Sequence, residues 1–259
     1  MKLSNNTILI TGGSSGIGLA LAKEFLKHDN VVIICGRSAQ KLERARSENP
    51  GLRTITCDVS DELSAAEMVN AILKDYPSLN ILVNNAGMMH LHDMVNDSLS
   101  LELQKREIMT NVYGVVSLCD RLLPHFKKQK QSAIINVTSG LAVMPFAAAP
   151  VYAATKAAVH SYSMSMRTAL KNTSVSVFEL LPPMVDTEMT HSMEMPGMKK
   201  IQPDRLAQIT LAKLKHSQPE IRPGASAMMI GMYRWFPWMI NKMMNSMVPK
   251  ILSNLPSYK

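Results

Sequence analysis

Short, nearly unbroken apolar runs recur along this chain, and they constrain its fold more than any other feature. They are Thr7-Ile8-Leu9-Ile10, Val31-Val32-Ile33-Ile34, residues 53–57, Ile81-Leu82-Val83, and residues 133–137 and 175–180. A strand with one face in water alternates apolar and polar residues. A continuous run reads instead as a strand covered on both faces, as in a parallel sheet. Helix-length segments separate the runs at 16–27, 39–47, 61–75, 101–128 and 152–170. Ser38 and Ser60 precede two of them as start signals, the second followed by the acidic pair Asp61 and Glu62. Repeated strand–helix–strand units cross over right-handed. The expected fold class is therefore α/β, a Rossmann-type doubly wound parallel sheet in three α/β/α layers.

The pattern breaks after Leu181. Residues 182–200 hold three prolines and five methionines without periodicity, and 202–215 return to a helical pattern. From Ile221 the chain is rich in Met and Trp and is interrupted by Pro223, Pro237, Pro249 and Pro256. With 259 residues there is room for one large core. The simplest division is a single domain over 1–220, including a loop at 182–200, and a C-terminal extension over 221–259. Cys35, Cys57 and Cys119 are odd in number and widely spaced, so neither a disulfide framework nor a CxxC site is read from them. The opening Met1-Lys2-Leu3-Ser4-Asn5-Asn6 shows no signal-peptide pattern. No apolar stretch approaches the roughly 18 residues that span a bilayer. The expected location is cytoplasmic, peripheral to a membrane at most.

The first run ends in Thr11-Gly12-Gly13-Ser14-Ser15-Gly16-Ile17-Gly18. Small residues there permit a tight turn that brings backbone N–H groups and a helix N-terminus up to a diphosphate. The second run ends in Gly36-Arg37. An acid here would accept from an adenosine ribose and favour NAD(H). Arg37 offers instead a planar cation suited to a 2′-phosphate, so NADP(H) is the preferred cofactor and NAD(H) the alternative. Asp58, followed by Val59, closes the third run and is placed to accept from an adenine amino group, or simply to open the next helix. Tyr152 and Lys156 lie at i and i+4, on one helix face. A phenol is a poor acid–base group at neutral pH, and a neighbouring ammonium favours its phenolate. Ser139 stands thirteen residues before Tyr152, at the end of the fifth run, the sheet edge where doubly wound folds bind ligands.

Together these residues resemble the short-chain dehydrogenase/reductase family, and within it the bacterial DltE-like oxidoreductases. Residues 11–18 look like its TGxxxGxG cofactor turn, and Asn84-Asn85-Ala86-Gly87 like its NNAG motif. Ser139, Tyr152 and Lys156 match its catalytic serine, tyrosine and lysine, and Asn111 the asparagine of its proton relay. The resemblance implies a cofactor site of Thr11, Gly12, Ser14, Ser15, Gly16, Ile17, Gly18, Arg37, Asp58, Val59, Asn85, Ala86, Gly87, Tyr152, Lys156, Val185 and Thr187. It makes 1–220 a dinucleotide-binding catalytic domain with 182–200 as its substrate loop. One departure stands out: Leu181-Pro182-Pro183-Met184 carries Pro183 where the family has glycine, which removes an N–H and fixes φ. The implied reaction moves a hydride between the nicotinamide and a carbonyl or alcohol carbon. Tyr152 exchanges the proton, Ser139 holds the oxygen, Lys156 tunes Tyr152 and Asn111 holds a relay water. The family also implies a homodimer or homotetramer.

Three further readings concern what the site accepts. Leu141, Phe146, Met184, Met189 and Met193 are expected to line an apolar substrate pocket, against the plainer reading of loop packing. His90-Leu91-His92-Asp93 is read as a loop at the cleft mouth with no metal role, and Lys127, Lys128 and Lys130 as a helix C-terminus. In the tail, Ile240, Met243, Met244, Met247 and Val248 fall on one helix face, after Trp235, Phe236 and Trp238. Five cations and no acid follow Glu220, out of a net charge of +8. Such a helix lies on a membrane surface, or packs over its own cleft or a partner subunit. No nucleic-acid module accompanies the positive charge. A cofactor-binding regulator and a membrane-peripheral reductase of a lipid-like substrate remain the rival functions.

Overall fold

A computed structural model describes residues 1–96, 99–191, 193 and 199–253. Parts of the expected loop, including Met195 and Met198, and the end of the tail, including Pro256 and Lys259, lie outside the described residues.

The expected runs become β1 (Thr7–Thr11), β2 (Val31–Gly36), β3 (Leu52–Thr56), β4 (Leu79–Asn84), β5 (Ser132–Val137) and β6 (Val175–Leu180). A further two-residue strand, β7 (Glu220–Ile221), is too short to leave a signature in the sequence. All pair in parallel, in the order β3-β2-β1-β4-β5-β6-β7. The chain moves outward from β1 to β3 and then restarts at β4 on the other side of β1. That reversal opens a crevice at the C-terminal ends of β1 and β4.

One face of the sheet is covered by α1 (Gly16–Leu26) and α7 (Pro203–Lys215), which pack on each other. The other is covered by α3 (Glu62–Asp75), α5 (Gly114–Phe126) and α6 (Pro150–Ala169). Both central faces are dry: Ile8, Leu9, Ile10, Ile81, Leu82 and Val83 are fully buried, which explains the unbroken apolar runs. The layers are thus α/β/α, with α2 (Ala39–Glu48) beside β2 and β3.

Two local expectations need correction. Asp61, not Ser60, caps α3, because its carboxylate accepts from the Ser64 N–H at 2.7 Å while the Ser60 hydroxyl donates to Asp58. The single long helix expected over 101–128 is α4 (Leu101–Ile108), a π-helical turn (Met109–Tyr113) and α5. The π turn holds Asn111, whose side-chain partners lie on other segments, so no local pattern announces it.

Behind the end of β5 sits a buried polar knot. Thr138 donates to Glu179 at 2.6 Å, and the His160 Nδ1 lies 2.8 Å from the same fully buried carboxylate. It fixes the backbone immediately before Ser139. Glu179→Ala is expected to lower stability by about 3 kcal/mol, measured by urea unfolding. The hydrogen bond to Glu179 raises the His160 pKa above its ordinary value. The ion pair therefore contributes fully below the unfolded histidine pKa and is lost as pH rises through the raised one, so the penalty shrinks in alkali.

The tail forms α8 (Ala225–Trp235), α9 (Pro237–Asn245) and α10 (Val248–Ser253). The one amphipathic helix expected across 240–248 is broken at Ser246 and Met247, ahead of Pro249. Ile240, Met244 and Ile251 are buried with Phe146, Leu181, Met193 and Met229 in a third apolar cluster, above the C-terminal edge of the sheet. Of the readings offered for the tail, it packs over its own cleft.

Candidate active site

The crevice is a cavity of about 1070 Å³, and nearly every expected site residue lines it. Gly12 adopts φ +62°, and a Cβ there would lie 2.9 Å from the Ala86 Cα; one on Gly18 would lie 2.4 Å from the Gly12 carbonyl oxygen. Only glycine permits both approaches. Thr11 ties the two glycine turns together, accepting from the Asn85 and Ala86 N–H groups at 3.0 and 2.9 Å, while the Asn85 amide donates to the Thr11 and Gly12 carbonyls. Thr11 and Gly18 thus sit under the cavity floor, with Ser14, Ser15, Gly16 and Ile17 facing it. Ser15 precedes α1 without a side-chain cap, and the first turn has no acid, which leaves the helix N-terminus open to an anion.

Arg37, Asp58 and Val59 line the cavity beyond the turn. Arg37 is exposed and makes no ion pair among the described residues. Its neighbour Lys41 reaches across to Glu188 at 2.8 Å. Val185 is buried and bridges to Ile201, and the Thr187 side chain rests beside Gly16. With Pro183 in place, Val185 and Thr187 both line the cavity, Thr187 beside the cofactor turn. These residues fit a dinucleotide.

The chemistry-bearing residues converge from three segments. Ser139 follows β5 and accepts from the Leu141 N–H at 3.1 Å. Pro150 starts α6, so Tyr152 and Lys156 rise from its first turns. The Lys156 ammonium donates to the Val137 carbonyl at 2.9 Å and lies 5.6 Å from the Tyr152 ring centre. Asn111 does not reach the cavity wall. Its amide donates to the Met88 carbonyl and the Thr155 hydroxyl, and its oxygen accepts from the Met88 N–H. It holds the strip after Gly87 over Lys156.

Residues 6–196 match the family model described as short chain dehydrogenase. The chain belongs to that family. An uncharacterised oxidoreductase, DltE of Bacillus subtilis (strain 168), is 45% identical over 224 residues, which is 85% of this chain and 89% of that protein. A 3-ketoacyl-(acyl-carrier-protein) reductase from Brucella melitensis, solved with NADH, shares 30% identity at a TM-score of 0.75, over 82% of this chain and 91% of that one. An alcohol dehydrogenase from Thermococcus sibiricus, solved with 5-hydroxy-NADP, shares 25% at 0.72, over 81% and 90%. This short-chain dehydrogenase is an oxidoreductase of CH–OH groups that uses a nicotinamide cofactor.

Burial dominates the electrostatics of its site. It pushes the Tyr152 phenol up to about 12, with Ser139 pulling down and Glu107 adding to the rise. It pushes Lys156 down to about 8, against the raising effect of Glu107. Tyr152 is thus a protonated phenol at neutral pH in this state of the site, placed to donate.

Glu107 escaped the sequence reading. It is fully buried, four residues before Asn111 on the same helix face, and its Oε2 lies 2.9 Å from the His90 Nδ1. Burial raises its pKa and His90 opposes the rise. Its spacing from Asn111 was the available signal. Because Lys156 sits near 8 and Glu107 holds it up, the rate of carbonyl reduction is expected to fall above about pH 8 as the ammonium is lost. Glu107→Gln moves that alkaline limb to lower pH; superimposable pH profiles refute the link.

Leu141, Phe146, Met184, Met189 and Met193 all line the cavity. The tail supplies the opposite wall through Met228, Met232, Ile240, Met243, Met244 and Met247.

Proposed function

We propose that this chain is an NADP(H)-dependent reductase of an apolar carbonyl compound, or dehydrogenase of the matching alcohol. The observation that carries the reading is Tyr152 buried between Ser139 and Lys156, in a cavity that Leu141, Met144, Phe146, Met184, Met229 and Met244 also line. When bound, the nicotinamide supplies or accepts the hydride. Ser139 donates to the substrate oxygen as charge develops there, and Tyr152 passes it a proton. Lys156 keeps a positive charge beside the phenol while binding a ribose hydroxyl, and Asn111 holds the strip through which a relay water reaches Lys156. Asp58 and Arg37 grip the adenosine half, with Arg37 on its 2′-phosphate. Val185 and Thr187 flank the nicotinamide.

A methionine-rich wall adapts to varied apolar shapes, which supports a tolerant pocket. The test is NADPH oxidation with aliphatic ketones and aldehydes of increasing chain length. KM is expected to fall as the chain grows. NADPH binding without oxidation of any member overturns the reading in favour of a cofactor-binding regulator. Exposed Leu101 and Ile108 on α4 and Met164 on α6 support self-association through those helices, in a cytoplasmic enzyme.

A further inference from the structure

Both tryptophans of this chain stand at one corner of the tail, where α8 gives way to α9. Arg234, Trp235, Phe236, Pro237, Trp238 and Met239 are consecutive and all exposed, with Trp235 at 77% and Trp238 at 69%. Large aromatic side chains in water are a cost that a soluble surface rarely concentrates in one place. The patch continues along both helices. On α9, Trp238, Met239, Lys242 and Met243 fall at i, i+1, i+4 and i+5. On α8, Met228, Met232 and Trp235 fall at i, i+4 and i+7, one face. Met228 and Met243 are exposed and also line the substrate cleft, so the corner adjoins the cleft mouth.

The charge around the corner has one sign. The described tail carries Arg222, Arg234, Lys242 and Lys250 beyond Glu220 and no acid, and the 140–149 segment beneath it is uncharged. We propose that this corner docks on an anionic lipid bilayer. Trp235, Phe236 and Trp238 enter the headgroup boundary, and Arg234, Lys242 and Lys250 meet lipid phosphates. Tryptophan favours that boundary, and basic residues beside it add attraction to anionic lipid. The helices are too short to cross, so the tail lies on the surface. A second copy fits less well, because a two-fold contact sets the same cations against each other. The purpose of docking, entry of an apolar substrate from the membrane, rests on the proposed function; the docking itself does not.

Since no other tryptophan is present, intrinsic fluorescence reports on this corner alone. Phosphatidylglycerol vesicles are expected to shift the emission to the blue, and brominated acyl chains to quench it. Trp235→Ser/Trp238→Ser, which keeps no tryptophan and is followed by vesicle co-sedimentation, is expected to weaken vesicle binding about tenfold or more, with NADPH turnover on a soluble ketone unchanged. No spectral change with phosphatidylglycerol overturns the proposal. So does equal binding to phosphatidylcholine, or a blue shift that tracks protein concentration without lipid, which marks a second copy. Failed docking with intact turnover removes this proposal alone, and docking without turnover on any carbonyl removes the functional reading alone.

Discussion

Tyr152→Phe is expected to reduce turnover by about 10³-fold or more while NADPH binding stays within about twofold. The substitution keeps the ring that packs in the apolar cluster with Phe146 and Leu181, so the site keeps its shape. What disappears is the only phenolic proton between Ser139 and Lys156. Among the described residues lining the cavity, Asp58 is held by Ser60 and Glu188 by Lys41, both away from Ser139, so no other acid takes over. Stopped-flow hydride transfer and an NADPH titration on the same preparation separate the two effects. Retention of more than a small fraction of activity sinks the assignment of Tyr152 as proton donor. Loss of NADPH binding in parallel with turnover shows instead that the phenol supports the cofactor site.

Arg37→Asp is expected to weaken NADPH binding by roughly 10- to 100-fold and leave NADH binding equal or improved. The arginine is exposed at the end of β2 and forms no ion pair with a carboxylate among the described residues, which suits its fork to a 2′-phosphate. A carboxylate at the same place repels that phosphate and accepts from ribose hydroxyls. Equal loss for both cofactors contradicts the preference for NADP(H) and makes Arg37 a general rim cation. Lys41 is not a substitute, because it is already paired with Glu188.

The parallel core was legible because β1, β4, β5 and β6 are buried on both faces, and their composition is therefore nearly uniform along their length. The glycine turn was legible because the positive φ of Gly12 and the close approach of Gly18 to the Gly12 carbonyl are local to the turn, whereas the contact of Gly12 with Ala86 is not. β7 was not, since two residues carry no period. The break at Asn111 was not, because Met88 and Thr155, which hold its side chain, come from other segments. Packing alone puts Glu107 at zero exposure beside His90. The tail was half legible: its amphipathic face was plain, but whether that face met lipid, a partner or the cleft was not.

By itself, then, the sequence of this protein determined the sheet and the cofactor turn, because local chain geometry and side-chain period encode them, while the set Asn111, Ser139, Tyr152 and Lys156 is what the family resemblance implies. Only the tertiary structure decided that burial raises the Tyr152 pKa, that Glu107 bears on Lys156 and that the tail methionines wall the cleft. Those outcomes depend on which groups lose contact with water, and burial is settled by segments far apart in the chain.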